Sequence, residues 1–464
     1  MSCYGAPVCR TPHIDALAAD SVRFTRAYTP CALCTPARAS LLSGLYPHNH
    51  GALFNTGTLL PFDEERTGQG TELYPRRLEE QGYQLGYSGK WHAGLAPTAQ
   101  SIGFQGFGPR GYGNVWNSPE YRSYLERRSL PLPQRHVEFY SSGDPIHRGD
   151  VSGWLSGSIE AAPMHFVAET ALDLLRQFVQ GDHPFFLTCN FWEPHAPYLP
   201  TEDYKDRYDP SDIRPWPSFK DDLAGRPLIH RKHREIISAA AAQADWETWA
   251  QVIARYYAQA SMVDAEVGRL VAELKRLGRY DDTLIVFASD HGETIGIHGG
   301  AFDKGAMAYE EVYHIPFMIK LPGNAHAGET RDAFVSLLDL TDTFCQVAGT
   351  NMSRTDGRNL LPLLDDARCD WRDDFVAEFH GHRVAYAQRI LWWRKLKYVL
   401  NFADVDELYD LEQDPAELRN VIWESRYAEE LAEMRARLLA NLQASGDTLG
   451  PQAYLFLTRP ITRP

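Results

Sequence analysis

Cysteine is scarce in this chain, with seven in 464 residues. The count is odd and too low for a disulfide scaffold, so a reducing compartment is expected. Long hydrophobic runs are missing too. No stretch of about 18 apolar residues occurs, so no membrane-spanning helix and no membrane partner are expected. The opening Met1-Ser2-Cys3-Tyr4-Gly5 has neither a charged start nor an apolar stretch. It reads as lacking a signal peptide and predicts a cytoplasmic protein. A basic excess is also absent. The net charge is −15, which argues against nucleic acid as a partner. It also weighs against long polyanionic substrates, although a local basic pocket can hide within it. Internal repeats and low-complexity tracts do not occur.

What is present is a globular composition, 44% apolar and 12% aromatic. The length predicts one large domain and a smaller one. Short apolar runs alternate with helical patterns, which reads as α/β with a mostly parallel central sheet between helices. Strands are expected at Gln84 to Tyr87, Phe185 to Phe191 and Leu284 to Ala288. Helical spacing runs through Val167, Ala171, Leu174, Leu175 and Phe178, and again from Val263 to Leu277 with Gly278 as a stop. From about Asp373 the texture changes. Val384 to Tyr386, Ile390 to Trp393 and Lys397 to Leu400 read as short strands, and Glu429 to Leu442 as a charged helix. The division expected is a catalytic domain over 1–372 and a small α+β subdomain over 373–464. Pro210 to Pro227 reads as a loop excursion over the site.

Polar residues gather where the strands end, which predicts a site on the carboxyl edge of the sheet. Asp290 and His291 follow the clearest strand, and a carboxylate beside an imidazole suits a hard divalent cation. Lys90 and His92 follow another strand, and His195 sits between Pro194 and Pro197 in a stiffened loop. Lys304 lies in an Asp-Lys-Gly turn. Cys34 begins Cys-Thr-Pro-Ala-Arg, with Arg38 about one helical turn on and on the same face. A Cys with Pro and Arg at those offsets arises by chance in about one such chain in fifty. Cys34 can also be read as a small buried hydrophobe, or with Cys31 as a C-x-x-C pair. No second C-x-x-C exists to complete a zinc site.

The stretch Cys34-Thr35-Pro36-Ala37-Arg38-Ala39-Ser40-Leu41-Leu42-Ser43-Gly44 resembles the signature of the type I sulfatase family, whose fold is alkaline phosphatase-like. Gly89-Lys90-Trp91-His92, Glu193-Pro194-His195 and Ser289-Asp290-His291-Gly292-Glu293 resemble further family motifs in the family's order. The likeness runs from Tyr4 to about Asn420. It implies that Cys34 is oxidised to formylglycine by a formylglycine-generating enzyme and serves, hydrated, as the nucleophile. It implies sulfate contacts for Lys90 and Lys304, and contacts to the nucleophile for Arg38. His92 would be a base when the sulfated hemiacetal collapses, and His195 would assist the leaving oxygen. Asp290 and His291 would hold the metal, Ca²⁺ first, with Mg²⁺ or Mn²⁺ as alternatives. The activity implied is hydrolysis of a small-molecule or saccharide sulfate ester, with phosphonate monoester or phosphodiester hydrolysis as the alternative.

The family opens with a strand that ends in two acidic metal ligands, upstream of the Cys-Tyr-Gly segment. In the sequence given, Met1 stands immediately before Cys3-Tyr4-Gly5. The expectation is therefore an N-terminally truncated chain without those ligands. Sheet edges would be uncovered and the cation would be short of oxygen donors. A crippled, anion-binding homologue is the corresponding non-enzymatic reading.

Overall fold

In the computed structural model, residues 1–55, 71–93, 98–109, 111, 113, 115–140, 149–237, 239–382, 385–402 and 404–459 are described. Thirteen strands occur among them. They are β1 (Val22–Tyr28), β2 (Gln84–Gly89), β3 (Gln105–Phe107), β4 (Arg135–Tyr140), β5 (Asp150–Leu155), β6 (Phe185–Asn190), β7 (Ile285–Ala288), β8 (Phe317–Lys320), β9 (Thr330–Ser336), β10 (Asp374–Phe379), β11 (Gln388–Trp393), β12 (Leu396–Asn401) and β13 (Glu407–Asp410). The α/β architecture follows from two sheets. One is parallel, in the order β3-β2-β6, and the other is mixed, in the order β7-β8-β1-β9. In the second sheet β8 alone runs against its neighbours, so β1, β7 and β9 share a direction. The strands β6 and β7 each have one ladder partner among the described residues, β2 and β8. Every residue of β6 is only half-buried, and β7 ends in an exposed Ala288.

Helices cover the sheets where their periodic apolar stripes predict. The Pro163–Phe178 helix buries Val167, Ala171, Leu174, Leu175 and Phe178, and Pro163 starts it without losing a needed N–H. The second predicted helix is longer than its periodicity suggested, Trp246–Arg276. Asp245 caps it by accepting the Thr248 N–H at 2.9 Å. No helix among the described residues is long and apolar enough to cross a membrane.

The C-terminal strands form an antiparallel sheet in the order β10-β11-β12-β13. Alternate residues serve two cores. Phe375, Ala377, Ile390, Trp392 and Val399 pack with Tyr28, Tyr313 and Phe334 of the main sheet region. Val376, Leu391, Trp393, Tyr398 and Leu400 pack with Met434, Leu438 and Leu442 of the Ala428–Ser445 helix. A sheet covered on both faces reads as unbroken apolar runs, which is why these strands were legible. Of the first predicted strand there, Val384 to Tyr386, Val384 lies outside the described residues and Tyr386 is in a loop.

The excursion from Pro210 to Pro227 lies across the segment that carries Lys304. The Trp216 indole donates to the Ile295 carbonyl at 2.9 Å, and the Gly299 N–H donates to the Ser218 carbonyl at 3.1 Å.

Candidate active site

Strand ends supply the site. After β1 the chain turns into the Cys34–Ser43 helix, and Cys34 is its first residue. A helix N-terminus favours negative charge there. Cys34 is fully buried, with Sγ 3.2 Å from His291 Nε2 and 3.3 Å from Lys90 Nζ. Burial alone would raise its thiol, but the charges of Lys90, His291 and Lys304 hold it well below the ordinary value.

Arg38, one turn along that helix, ties three strand ends together. Its Nε donates to Asp290 Oδ2 at 2.9 Å and its Nη1 to the Lys90 carbonyl at 2.8 Å. Burial would raise the Asp290 carboxyl, yet Arg38 and His291 pull it far below the usual carboxylate range. The other Asp290 oxygen faces His291 Nε2 at 3.8 Å. His291 Nδ1 lies 2.8 Å from the Gly292 carbonyl and donates to it, so Nε2 points at Cys34. Burial lowers the His291 pKa, but Asp290 and Cys34 raise it above the ordinary value.

The donor set suits a divalent cation. Ligand atoms of Cys34, Asp290 and His291 lie within 4.8 Å of one another. A carboxylate oxygen and an imidazole nitrogen 3.8 Å apart can share one ion whose bonds run about 2.3–2.6 Å. An outer N–H bonded to a carbonyl is the usual support for a ligating imidazole. Three donors are half of the six or more that a Ca²⁺ ion takes.

At the end of β2, Gly89 has φ 107°, and a Cβ there would lie 2.0 Å from the Asn190 carbonyl oxygen. Only glycine lets β2 and β6 close up at this point, and the next residue is Lys90. Lys90 is buried, with Nζ 4.1 Å from the centre of the Trp192 ring. Burial lowers its pKa, Cys34 opposes this, and Arg38 adds to the lowering. His92 is buried two residues on, with φ 44°.

On the facing side, Lys304 Nζ lies 3.1 Å from His195 Nε2 and 3.2 Å from Asp303 Oδ1. His195 Nδ1 lies 2.6 Å from the Ala196 carbonyl. That contact puts the ring proton on Nδ1 and leaves Nε2 to accept from the Lys304 ammonium. Burial, Lys304 and Lys90 lower the His195 pKa to about 4, so the ring is neutral near pH 7.

The structure thus gathers Cys34, Arg38, Lys90, His195, Asp290, His291 and Lys304 around one point, with His92 on the Lys90 loop. Sequence reasoning passed over Trp192, Asp303 and Asn55. Asn55 Oδ1 accepts the Thr35 N–H at 2.9 Å, behind the nucleophile. The aromatic residue before Glu193-Pro194-His195 was the available signal for Trp192. Non-glycine residues with positive φ recur on these loops: His92, Ile295, His298 and Asp303. Such conformations cost about 1–3 kcal/mol each and collect where a site over-determines the backbone.

Residues 1–350 match the family model described as Sulfatase. The chain belongs to the sulfatase family. Residues 296–444 also match the model described as N-sulphoglucosamine sulphohydrolase, C-terminal. Among curated relatives, an uncharacterized sulfatase of Escherichia coli K12 is 27% identical over 476 residues, covering 99% of this chain and 87% of the relative. An N-acetylglucosamine-6-O-sulfatase of Bacteroides thetaiotaomicron is 26% identical, covering 94% of this chain and 82% of the relative. A multifunctional alkaline phosphatase superfamily protein of Trinickia caryophylli is 29% identical, covering 91% and 87%. Among solved structures, the phosphonate monoester hydrolase of Agrobacterium radiobacter superposes with a TM-score of 0.79 at 25% identity, over 96% of this chain and 93% of that one. A protein solved in complex with its substrate D-glucosamine-2-N,6-O-disulfate superposes with a TM-score of 0.72 at 20% identity, over 97% and 95%, and shares the fold. The sulfatase fold is the alkaline phosphatase-like α/β arrangement described above.

Proposed function

We propose that this sulfatase family member hydrolyses sulfate esters, with Cys34 as a formylglycine nucleophile and a divalent cation at Asp290 and His291. The observation that carries the reading is the setting of Cys34. It is a fully buried side chain on a helix N-terminus, ringed by Lys90, His291, Lys304 and His195. Such a setting binds an anion beside a nucleophile. Converted to formylglycine, Cys34 would supply a hydrated aldehyde whose hydroxyl attacks sulfur, the aldehyde being restored as sulfate leaves. A bound Ca²⁺, Mg²⁺ or Mn²⁺ would offset the sulfuryl charge and polarise the nucleophile.

The other residues bind, orient and move protons. Lys90 and Lys304 hold sulfuryl oxygens from opposite sides. Arg38 aligns Asp290 and the Lys90 loop with the nucleophile. His92 takes the proton released when the sulfated intermediate collapses. His195 is neutral and accepts from Lys304 in the resting site. The proton that reaches the leaving oxygen therefore starts on Lys304, with His195 relaying or orienting it. The substrate class is an aryl, alkyl or saccharide sulfate ester, and the maturation partner is a formylglycine-generating enzyme.

The test is production beside a formylglycine-generating enzyme, mass spectrometry of the Cys34 peptide and an assay on nitrophenyl sulfate. The aldehyde mass and turnover abolished by Cys34→Ala are expected. Free thiol alone, from a host that converts a control sulfatase, would sink the proposal. A second reading, phosphonate monoester hydrolysis, is supported by the likeness to the Agrobacterium radiobacter hydrolase. The ratio of kcat/KM on nitrophenyl sulfate and on nitrophenyl phenylphosphonate decides between them.

A further inference from the structure

Behind Lys304 lies a buried polar chain that none of the reacting groups belongs to. His298, six residues before Lys304, is 1% exposed, and its backbone is left-handed at φ 44° and ψ 58°. Its ring stacks on Tyr309, with centroids 3.6 Å apart and planes 9° apart. Its Nδ1 lies 2.8 Å from Asp221 Oδ2, and its Nε2 has no partner among the described residues. Asp221 accepts the Leu223 N–H at 3.0 Å and the Arg226 Nη2 at 3.0 Å. Arg226 donates from Nη1 to the Tyr409 hydroxyl at 2.5 Å and also reaches the Glu417 carbonyl. Its guanidinium lies over the rings of Tyr309 and Tyr409, at 5.4 and 5.2 Å from their centres. Tyr409 is in β13, in the C-terminal sheet. The chain of contacts therefore runs from that sheet to the loop that carries Lys304.

Backbone contacts give the chain its grip. A Cβ on Gly299 (φ 74°) would lie 2.5 Å from Arg234 Nη1 and 2.6 Å from the Asp221 carbonyl oxygen. On Gly300 it would lie 2.9 Å from Ala242 Cα, and on Gly305 it would lie 3.0 Å from His233 Cε1. Asp221, His233, Arg234 and Ala242 thus press on the loop both before and after Lys304. Burial lowers the His298 pKa to about 4, so the ring is neutral and acts as a fixed donor to Asp221.

We propose that His298, Asp221, Arg226 and Tyr409 are positioning residues that hold Lys304 at its place beside His195, so that the C-terminal sheet takes part in building the active site. A short, buried and charge-assisted chain transmits position well because each member has one low-energy geometry. Loss of one link lets the loop relax, and a small displacement of a group that binds the transition state costs rate far out of proportion to stability. The inference rests on the role of Lys304 in the proposed function.

A double-mutant cycle tests it. Asp221→Asn and Tyr409→Phe keep shape and remove one link each. Each is expected to lower kcat/KM by about tenfold or more in the otherwise unchanged protein, and by less than about twofold in a Lys304→Ala background. The same pattern is expected in affinity for inorganic sulfate, which is measurable whether or not Cys34 is converted. His298→Asn, which keeps a donor and tolerates positive φ, should retain more activity than His298→Ala. Leu438→Ala, in the outer C-terminal core, controls for stability. It should lower Tm without lowering kcat/KM. Additive losses in the cycle would overturn the inference, as would equal losses in Leu438→Ala at equal Tm. If Lys304→Ala itself changes neither turnover nor sulfate binding, the assigned role of Lys304 fails first, and the inference falls with it. If Asp221→Asn does not fold, the isosteric Tyr409→Phe carries the same test.

Discussion

Removing the Arg38 side chain would expose how much of the site is held by one guanidinium. Arg38 makes two charge-assisted hydrogen bonds, to Asp290 and to the Lys90 carbonyl. The ion pair is mostly buried, with 12% and 20% of the two side chains exposed. Breaking such a pair leaves an uncompensated carboxylate, at a cost of about 3 kcal/mol, the low end for buried pairs. Unfolding entropy of about 2.1 cal/mol/K per residue over 464 residues comes to about 1 kcal/mol/K. Arg38→Ala should therefore lower Tm by about 3 °C at about pH 7. The sign with pH follows from Asp290. Its folded pKa is depressed in the native protein, so the ion pair stabilises above the unfolded carboxylate value of about 3.9. That stability is lost as pH falls towards the folded value. In Arg38→Ala the largest lowering charge is gone and only His291 and Lys90 oppose burial, so the carboxyl titrates higher than in the native protein and protonation relieves the variant as pH falls. The Tm deficit should narrow from about pH 7 to about pH 4, read by differential scanning at both pH values. A deficit of equal size at both pH values would refute the argument. Arg38→Lys should not restore turnover, because one ammonium does not reproduce the two-pronged contact to Asp290 and the Lys90 carbonyl.

Other consequences are separable. His195→Ala should lose more rate on alkyl sulfates than on nitrophenyl sulfate, because a good leaving group needs little protonation. Equal losses would remove His195 from the leaving-group path. Asp290→Asn should bind the divalent cation about tenfold more weakly or worse, measured by metal analysis after dialysis. Unchanged metal content would show that Asp290 is not a ligand. Trp392→Ala empties the centre of the core between the C-terminal sheet and the main sheet region. It should cost about 3–5 kcal/mol and lower Tm by about 3–5 °C, and a shift under about 1 °C would mean that this core is not a stability determinant.

Much of the chemistry was legible because it sits in short local patterns. A strand that ends in Asp290-His291, a Lys-x-His after β2 and a Cys-x-Pro-x-Arg on a helix start are each written within a few residues. The strands themselves were readable where apolar runs stop at polar residues, as in Ile285–Ala288, and where both faces are buried, as in β11 and β12. The long helix was readable only in its second half, because its first half is buried on several sides and shows no single stripe.

Sequence alone determined which residues can react, bind an anion or hold a cation, and in what order they come. The tertiary structure alone decided which of them meet. Arg38 pairs with Asp290 across 252 positions, and Lys304 with His195 across 109. His298 reaches Asp221 across 77, and Arg226 reaches Tyr409 across 183. The physical reason is sheet order. A residue pattern records burial and turn chemistry along one dimension, whereas the orders β3-β2-β6 and β7-β8-β1-β9 result from packing summed over the whole chain. Packing of the two sheets brings the ends of β1, β2, β6 and β7 together, where Arg38 bonds to both Asp290 and the Lys90 carbonyl. It is what makes one buried cluster of charges out of five separate stretches of sequence.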